Sequence, residues 1–314
     1  MVKIDNLSKY YDDVKAVKSI SFTANQGEIL GFLGANGAGK STTLKVVAGY
    51  LSPTKGNVYV NDMNIQDNSY EIREQIGYLP ELNPLYTDMK VYDILKFAAK
   101  IRGITGHKFE SALDRVIHQC GLEGIIHKLV GACSKGYKQR VGLAMSIIHD
   151  PGILILDEPV TGLDPNQIVE IRELIKNLGK EKTIIMSSHI LQEIQATVDR
   201  IVIINLGTIV ADGTREELMA NLEGQTMLTM EILNGSVESV ETMSEKIAAI
   251  DVKDIEGVDG KYMIKMEYPV GKDPREDIFD YAMHSQWKIL EMSPNKANLE
   301  DVFRNLTVEG GIHA

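Results

Sequence analysis

Cysteine is nearly absent from this sequence: 314 residues hold only two, Cys120 and Cys133. Their spacing fits neither a metal-ligand set nor a redox dithiol, so a disulfide framework is excluded and a reducing compartment is expected. Also missing is any run near the ~18 apolar residues that a membrane span needs, and the N-terminus has no signal-peptide core. Basic residues are outnumbered, 33 Lys and Arg against 44 Asp and Glu, for a net charge of −11. That balance opposes broad electrostatic binding to nucleic acid or to anionic lipid. No internal repeat and no low-complexity tract interrupts the chain. What remains is ordinary globular composition, 44% hydrophobic and 25% charged, long enough for two domains with a substantial core. The charge is unevenly placed. Residues 224–314 hold 9 Lys and Arg against 17 Asp and Glu, a net of −8, which leaves −3 for residues 1–223. The acidic end reads as a separate unit.

Against this background one stretch stands out, Gly34-Ala35-Asn36-Gly37-Ala38-Gly39-Lys40-Ser41-Thr42. An apolar run, Ile29 to Leu33, precedes it, and Leu44 to Tyr50 follows with helical apolar spacing. Strand, glycine loop and helix form the context in which GxxxxGK[ST] carries meaning. Glycines let consecutive backbone N–H groups converge without a Cβ in the way, and the helix start adds positive potential there. Lys40 is then within reach of the outer phosphates, and the Ser41 hydroxyl is placed to ligate Mg²⁺. With glycine near ~7% of residues, the pattern arises by chance on the order of once per hundred chains of this length. The flanking elements cut that further, so the stretch reads as a nucleoside triphosphate site and not as a structural turn.

In chain order, residues 2–8 and 16–22 alternate as half-exposed strands do, with Tyr10-Tyr11-Asp12-Asp13 as the turn between them. Asn57 to Val60 is a further strand, and Ile76 to Glu81 begins as one that Pro80 stops. From Val91 to His149 the pattern is helical, with Val91, Ile94, Leu95 and Ala98 on one face. Buried strands return at Ile153–Leu156 and Thr183–Met186, separated by a helix from Ile168 to Leu178 with Asp164 at its N-cap and Pro165 in its first turn. A hairpin over 201–210 and a helix over 216–222 close the first domain. Beyond Glu223-Gly224-Gln225 the expected order is β-α-β-β-α-β, the ferredoxin-like arrangement, with a last helix from Leu299 to Leu306.

Asp157 and Glu158 stand where an apolar parallel strand emerges, the end at which α/β proteins place ligands. Ionised oxygens there suit Mg²⁺, and Glu158, one residue further out, is placed to polarise an attacking water. The bland alternative is a solvated acidic turn, which the phosphate loop upstream disfavours. His189 follows the next buried strand and is read either as a helix-capping residue or as a group that reaches the terminal phosphate. Tyr11 is either packing or a ring that stacks on a nucleobase.

Taken together these segments resemble the ATP-binding subunits of ABC transporters. Gly34–Ser41 is similar to the family's Walker A motif, and Ile153–Glu158 to its Walker B motif with catalytic glutamate. Thr161-Gly162-Leu163-Asp164 is similar to the D-loop, His189 to the switch histidine, and Ser134 to Ala144 to the signature segment. The resemblance covers about residues 1–222. It implies an α/β fold, a P-loop ABC-type ATPase domain over 1–222 with a helical subdomain at about 82–149. A small acidic α+β ferredoxin-like domain follows over 223–314. The tail from Leu299 to Thr307 resembles the ending of drug- and lipid-type exporter ATPases, and the whole chain resembles the gliding-motility ATP-binding subunits of Bacteroidetes. The departures are specific. The family's Leu-Ser-Gly-Gly-Gln is here Cys133-Ser134-Lys135-Gly136-Tyr137, and its Q-loop glutamine is Glu81. The resemblance assigns ATP to Tyr11 and Gly34–Thr42, metal contact to Ser41, Glu81 and Asp157, and catalysis to Glu158 and His189. Ser134, Lys135 and Gly136 would serve a partner's nucleotide, and Asp164 the D-loop.

The function so implied is the ATP-hydrolysing motor of an exporter, using ATP and Mg²⁺. It would pair with a second copy or another ATPase chain and drive a separate integral-membrane permease. Its place would be the cytoplasm, held at the inner face of the membrane by that permease, with no nucleic-acid partner. A soluble ATPase acting on ribosome or nucleic acid is the alternative. Such branches carry two cassettes or long coiled coils, and neither is present. A ligand-sensing module that has lost hydrolysis is disfavoured by the intact Lys40, Asp157, Glu158 and His189.

Overall fold

The computed structural model of the chain describes residues 1–220, 225–247, 250–258, 260–269, 272–295 and 303. It divides into two compact units, one from Met1 to Arg215 and a second beginning at Glu216. Of the expected boundary Glu223-Gly224-Gln225, Glu223 and Gly224 lie outside the described residues, as does the expected helix from Leu299 to Leu306 apart from Phe303.

The first unit opens with β1 (Val2–Tyr11), β2 (Val14–Ala24), β3 (Ile29–Leu33) and α1 (Lys40–Val47). Next come β4 (Lys55–Val60), β5 (Met63–Asn64), α2 (Ser69–Gln75) and β6 (Ile76–Leu79). Three helices follow without an intervening strand, α3 (Val91–Ile101), α4 (Gly106–Cys120) and α5 (Lys135–Ile147). Then β7 (Ile153–Leu156), α6 (Pro165–Gly179), β8 (Thr183–Ser188), α7 (Leu191–Gln195), β9 (Arg200–Asn205) and β10 (Thr208–Gly213) complete the alternation, and α8 (Arg215–Ala220) spans the division between the units.

Two sheets result. One is antiparallel, in the order β2-β1-β4-β5, and the other runs β10-β9-β3-β8-β7-β6. In the second, β9, β3, β8, β7 and β6 are parallel and β10 is an antiparallel edge. The parallel strands are buried on both faces, which is why Ile153–Leu156 and Thr183–Ser188 read as continuous runs and not as alternation. The apolar side of α1, with Leu44, Val46 and Val47, joins one cluster with Val2, Ile4, Val58 and Val60 from the antiparallel sheet. Phe32, Ile155, Ile185 and Val202 of the parallel sheet complete it. Burial on both sides fixes the start of α1 against the ends of the strands. The short β5 and α2 had no sequence expectation. α2 buries only Ile72, too little to register as a periodicity.

The second unit contains β11 (Gln225–Leu233), α9 (Val237–Lys246), β12 (Asp251–Val258), β13 (Lys261–Pro269), α10 (Arg275–His284) and β14 (Lys288–Asn295). Its sheet is antiparallel in the order β12-β13-β11-β14, and the chain order is the ferredoxin-like β-α-β-β-α-β. Leu228, Met230 and Ile232 alternate along β11 into a cluster with Ile264 and Met266 of β13, Val240 and Met243 of α9, and Ile278 of α10. Lys265–Asp254 and Lys261–Glu231 pairs occupy the intervening strand positions, as on a solvated face. Each unit thus buries its own apolar set. A chain ended at Leu222 is expected to unfold in one cooperative transition by calorimetry, at a temperature close to one of the full chain's; an unfolded product would show that the second unit is required.

Candidate functional site

The strand order β3-β8-β7 sets three loops side by side at the carboxyl ends of the parallel sheet. They are the glycine loop after β3, the turn carrying His189 after β8, and the Asp157–Glu158 corner after β7. The middle strand was not legible in sequence order, because β8 follows β7 in the chain but pairs between β7 and β3.

The glycine loop needs its glycines. Gly39 has φ 108°, and a Cβ there would approach the Ala16 carbonyl oxygen to 2.6 Å; one on Gly34 would run into the carbonyl of Ile204. α1 begins at Gly39 with no side-chain cap and no acid in its first turn, which leaves its N–H donors and positive end to an anion. The other helix starts in question are capped: Ser134 accepts from Tyr137 N–H at 3.4 Å and Asp164 from Gln167 N–H at 3.0 Å.

Lys40 is almost fully buried. Its ammonium donates to the carbonyls of Gly34 (2.8 Å) and Ala35 (3.3 Å) and lies 3.3 Å from Glu158 Oε1, itself only 5% exposed. Asp157 Oδ1 accepts from the hydroxyls of Ser187 (2.8 Å) and Ser41 (3.1 Å). Burial pushes the Asp157 carboxyl above the usual carboxylate range. The two hydroxyls oppose that rise, and the charges of Glu81 and Glu158 add to it. Glu158 is held from all sides. Its N–H donates to Ser187 Oγ at 2.9 Å, and its Oε2 accepts from Thr161 Oγ1 at 3.0 Å and faces His189 Nδ1 at 2.9 Å. An ionised carboxylate only accepts, so the imidazole proton facing it sits on Nδ1. Glu158 has φ 50°, a left-handed backbone that costs a residue of this type on the order of 1–3 kcal/mol and persists only where the surroundings impose it.

A cavity of about 310 Å³ opens on this cluster, lined by Asn36, Gly37 and Gly39 to Thr42 together with Ala16, Glu81 and Glu158. The oxygens of Ser41, Asp157 and Glu81 are hard donors of the kind Mg²⁺ takes. Among the described residues no group of three or more His, Cys, Asp or Glu could hold a metal alone. That suits an ion which binds one or two protein oxygens and completes its shell with phosphate and water. Other expected residues lie elsewhere. Tyr11, at the end of β1, is 43% exposed with the Lys9 ammonium 5.3 Å from its ring centre, and it does not line the cavity. Nor do Ser134, Lys135 and Gly136, at the start of α5. His189 is not a capping residue, since α7 begins at Leu191 with Ile190 at its N-cap. Sequence reasoning passed over Ser187 and Ala16, and gave Thr161 only as part of the D-loop segment. The one available signal was polar Ser187-Ser188 ending an otherwise apolar buried strand.

Comparison with known proteins points to a single family. A family model described as ABC transporter matches residues 17–161. The bacitracin transport ATP-binding protein BcrA of Bacillus licheniformis is 42% identical over 214 residues, 68% of this chain and 69% of that protein. The protein of the same name from Enterococcus faecalis is 31% identical over 315 residues, 99% of this chain and 98% of its own length. Among solved structures, cbiO1 of Clostridium perfringens, part of the ABC transporter complex cbiONQ, is 30% identical with a TM-score of 0.64, covering 71% of this chain and 91% of its own.

Ser187→Ala is expected to strand the buried Glu158 N–H and remove one of the two hydroxyls on Asp157. A loss of about 1–3 kcal/mol in denaturant unfolding should follow, with slower nucleotide turnover. Wild-type stability and rate would show that the serine bridges nothing of consequence.

Proposed function

The chain belongs to the ABC transporter family of ATP-binding proteins and is an ATP hydrolase, and from that premise we propose that it is the motor subunit of an exporter, working on Mg²⁺-ATP and driving a separate membrane permease. The observation that carries this reading is one connected cluster: Lys40, Ser41 and Glu158 line the cavity, Asp157 accepts from Ser41, and His189 stands against Glu158. Phosphates entering the loop meet the N–H groups of α1 and draw Lys40 away from Glu158. Glu158 is thereby freed to take the proton of an attacking water, with His189 alongside to hold the terminal phosphate. Ser41, Asp157 and Glu81 would hold the Mg²⁺, which neutralises phosphate charge when bound. Tyr11 would close over the base.

The signature residues support a dimer. Ser134 caps α5 through its oxygen and so keeps its O–H for donation, while Gly136 carries no side chain of its own there and lets the Gln167 side chain pack on the helix start. Neither residue, nor Lys135, lines the cavity of its own chain. Serving the nucleotide of a second ATPase subunit is the use that fits, and hydrolysis then depends on closure of the pair.

A second cavity, of about 540 Å³, lies between the core and the helical subdomain. Its lining includes Tyr50, Arg73, Tyr78, Phe97, Arg102 and Met145. No acidic residue lines it, although the chain carries a net charge of −11. The buried Tyr78 hydroxyl has no hydrogen-bond partner. We take this groove as the seat of a short cytoplasmic segment of the permease bearing a carboxylate. Among the described residues no helix is long and apolar enough to cross a membrane, so the transport path is assigned to that partner. The full-length likeness to bacitracin transport proteins supports an exporter. The resemblance to gliding-motility subunits of Bacteroidetes makes a cell-surface machinery the first system in which to seek the permease.

Two experiments test the reading. Glu158→Gln is expected to retain ATP binding, reduce steady-state hydrolysis by at least ~10²-fold and accumulate an ATP-bound dimer in size-exclusion chromatography. Unchanged turnover would remove Glu158 from the role of base. Arg73→Glu combined with Arg102→Glu should leave the chain's own ATPase intact while the tagged subunit no longer recovers an integral-membrane protein from solubilised membranes. Undiminished recovery would place the permease elsewhere, and recovery of a ribosomal or nucleic-acid complex by the wild type would overturn the exporter reading.

A further inference from the structure

The mechanism above uses His189 but does not say what holds it. The last two residues of β8 point to opposite sides, as successive strand residues must. Ser187 turns toward Asp157 and Glu158. Ser188 turns away, fully buried, and its hydroxyl makes two hydrogen bonds: it donates to Glu193 Oε2 at 2.5 Å and accepts from Ile190 N–H at 3.0 Å. Those bonds bracket His189 by one residue on either side. The carbonyl of Ser188 also accepts from Gly34 N–H at 3.3 Å, which ties the same residue to the first glycine of the phosphate loop.

Glu193 is the unusual member. It is 6% exposed on α7, a helix of only five residues whose N-cap has no side-chain hydrogen bond. A carboxylate buried at that depth is costly unless it is paired and hydrogen-bonded. Here Ser188 supplies the hydrogen bond, Arg172 of α6 and His189 supply favourable charge, and Glu158 opposes it. Apolar packing of Leu191 and Ile194 would hold α7 without any buried acid. Packing does not need Glu193; the turn does.

We propose that Glu193 is a positioning residue for His189: gripping Ser188 Oγ, it closes the turn between β8 and α7 and so holds the imidazole against Glu158. The effect runs through geometry, because a misplacement near 1 Å in a reacting group is worth on the order of 10²-fold in rate. The proposal rests on the reading of His189 as the group beside the terminal phosphate.

The test is a double-mutant cycle on ATP turnover by the full-length chain. Glu193→Ala is expected to lower kcat about tenfold or more with KM for ATP within about twofold, while Glu193→Gln, which keeps an acceptor for Ser188, recovers most of the loss. In a His189→Ala background Glu193→Ala should cost nothing further. Should the alanine variant not fold, Glu193→Leu fills the same space without an acceptor. Additive losses in the cycle, or a glutamine variant as slow as alanine, would overturn the positioning role and leave that of His189 intact. A His189→Ala chain with wild-type turnover would overturn both.

Discussion

Lys40 and Glu158 neutralise each other at 3.3 Å, each almost fully buried at the wall of the phosphate-loop cavity. Removing either partner from such a pair leaves an unpaired buried charge, at a cost of roughly 3–5 kcal/mol. The site therefore has one stable arrangement as it stands, and another only if an anion arrives to take Lys40. A triphosphate is the ligand whose charge and reach meet that condition, and on the proposed mechanism its arrival frees the carboxylate, so that binding and activation of the base would be the same rearrangement. The loop geometry, the uncapped start of α1 and the buried strand ends all serve to keep these two charges close.

The second constraint is the strand order. Because β8 lies between β3 and β7, its two terminal serines stand between the phosphate loop and the acidic corner. Ser187 joins Asp157 to the backbone of Glu158, and Ser188 joins Gly34 to the His189 turn. Two adjacent residues of one strand, facing opposite ways, thus set both acids and the histidine. The left-handed φ at Glu158 is bearable because the Ser187 hydroxyl takes its N–H and Thr161 takes its carboxylate.

Residues whose role is local were legible in the sequence. The glycine loop, the N-cap Asp164, and the alternation along β11 need only neighbours a few positions away. Ala16, Ser187, Ser188 and Glu193 were not legible, since each acts on a segment brought near by the sheet and by no sequence spacing. The same limit explains Tyr11: an aromatic in a turn near the loop is consistent with base stacking, but only coordinates show its ring beside Lys9 and off the cavity lining. The ferredoxin-like order was readable because β11 and β13 alternate buried and exposed residues and α9 has its own cap, the reciprocal Ser236 and Ser239 pair.

The departures in the signature segment acquire a meaning once the starts of α5 and α6 are considered together. Lys135 lies with its amine against Gly162, the Gly136 backbone packs on the Gln167 side chain, and Arg140 pairs with Glu170 at 2.6 Å. The segment after Glu158 and the segment meant for a partner's nucleotide are therefore one packed piece within each chain. In the sandwich proposed above, the piece that follows one catalytic glutamate is also the piece that covers the opposite nucleotide. On that proposal, a shift at either site would reach the other through these contacts, with no need for a long path through the core. Lys135 stands where the family pattern has a glycine, and in this chain its amine lies against Gly162. Closure of the proposed pair would draw the lysine off Gly162 before it could meet a phosphate, coupling engagement of the second nucleotide to release of the loop beside the first.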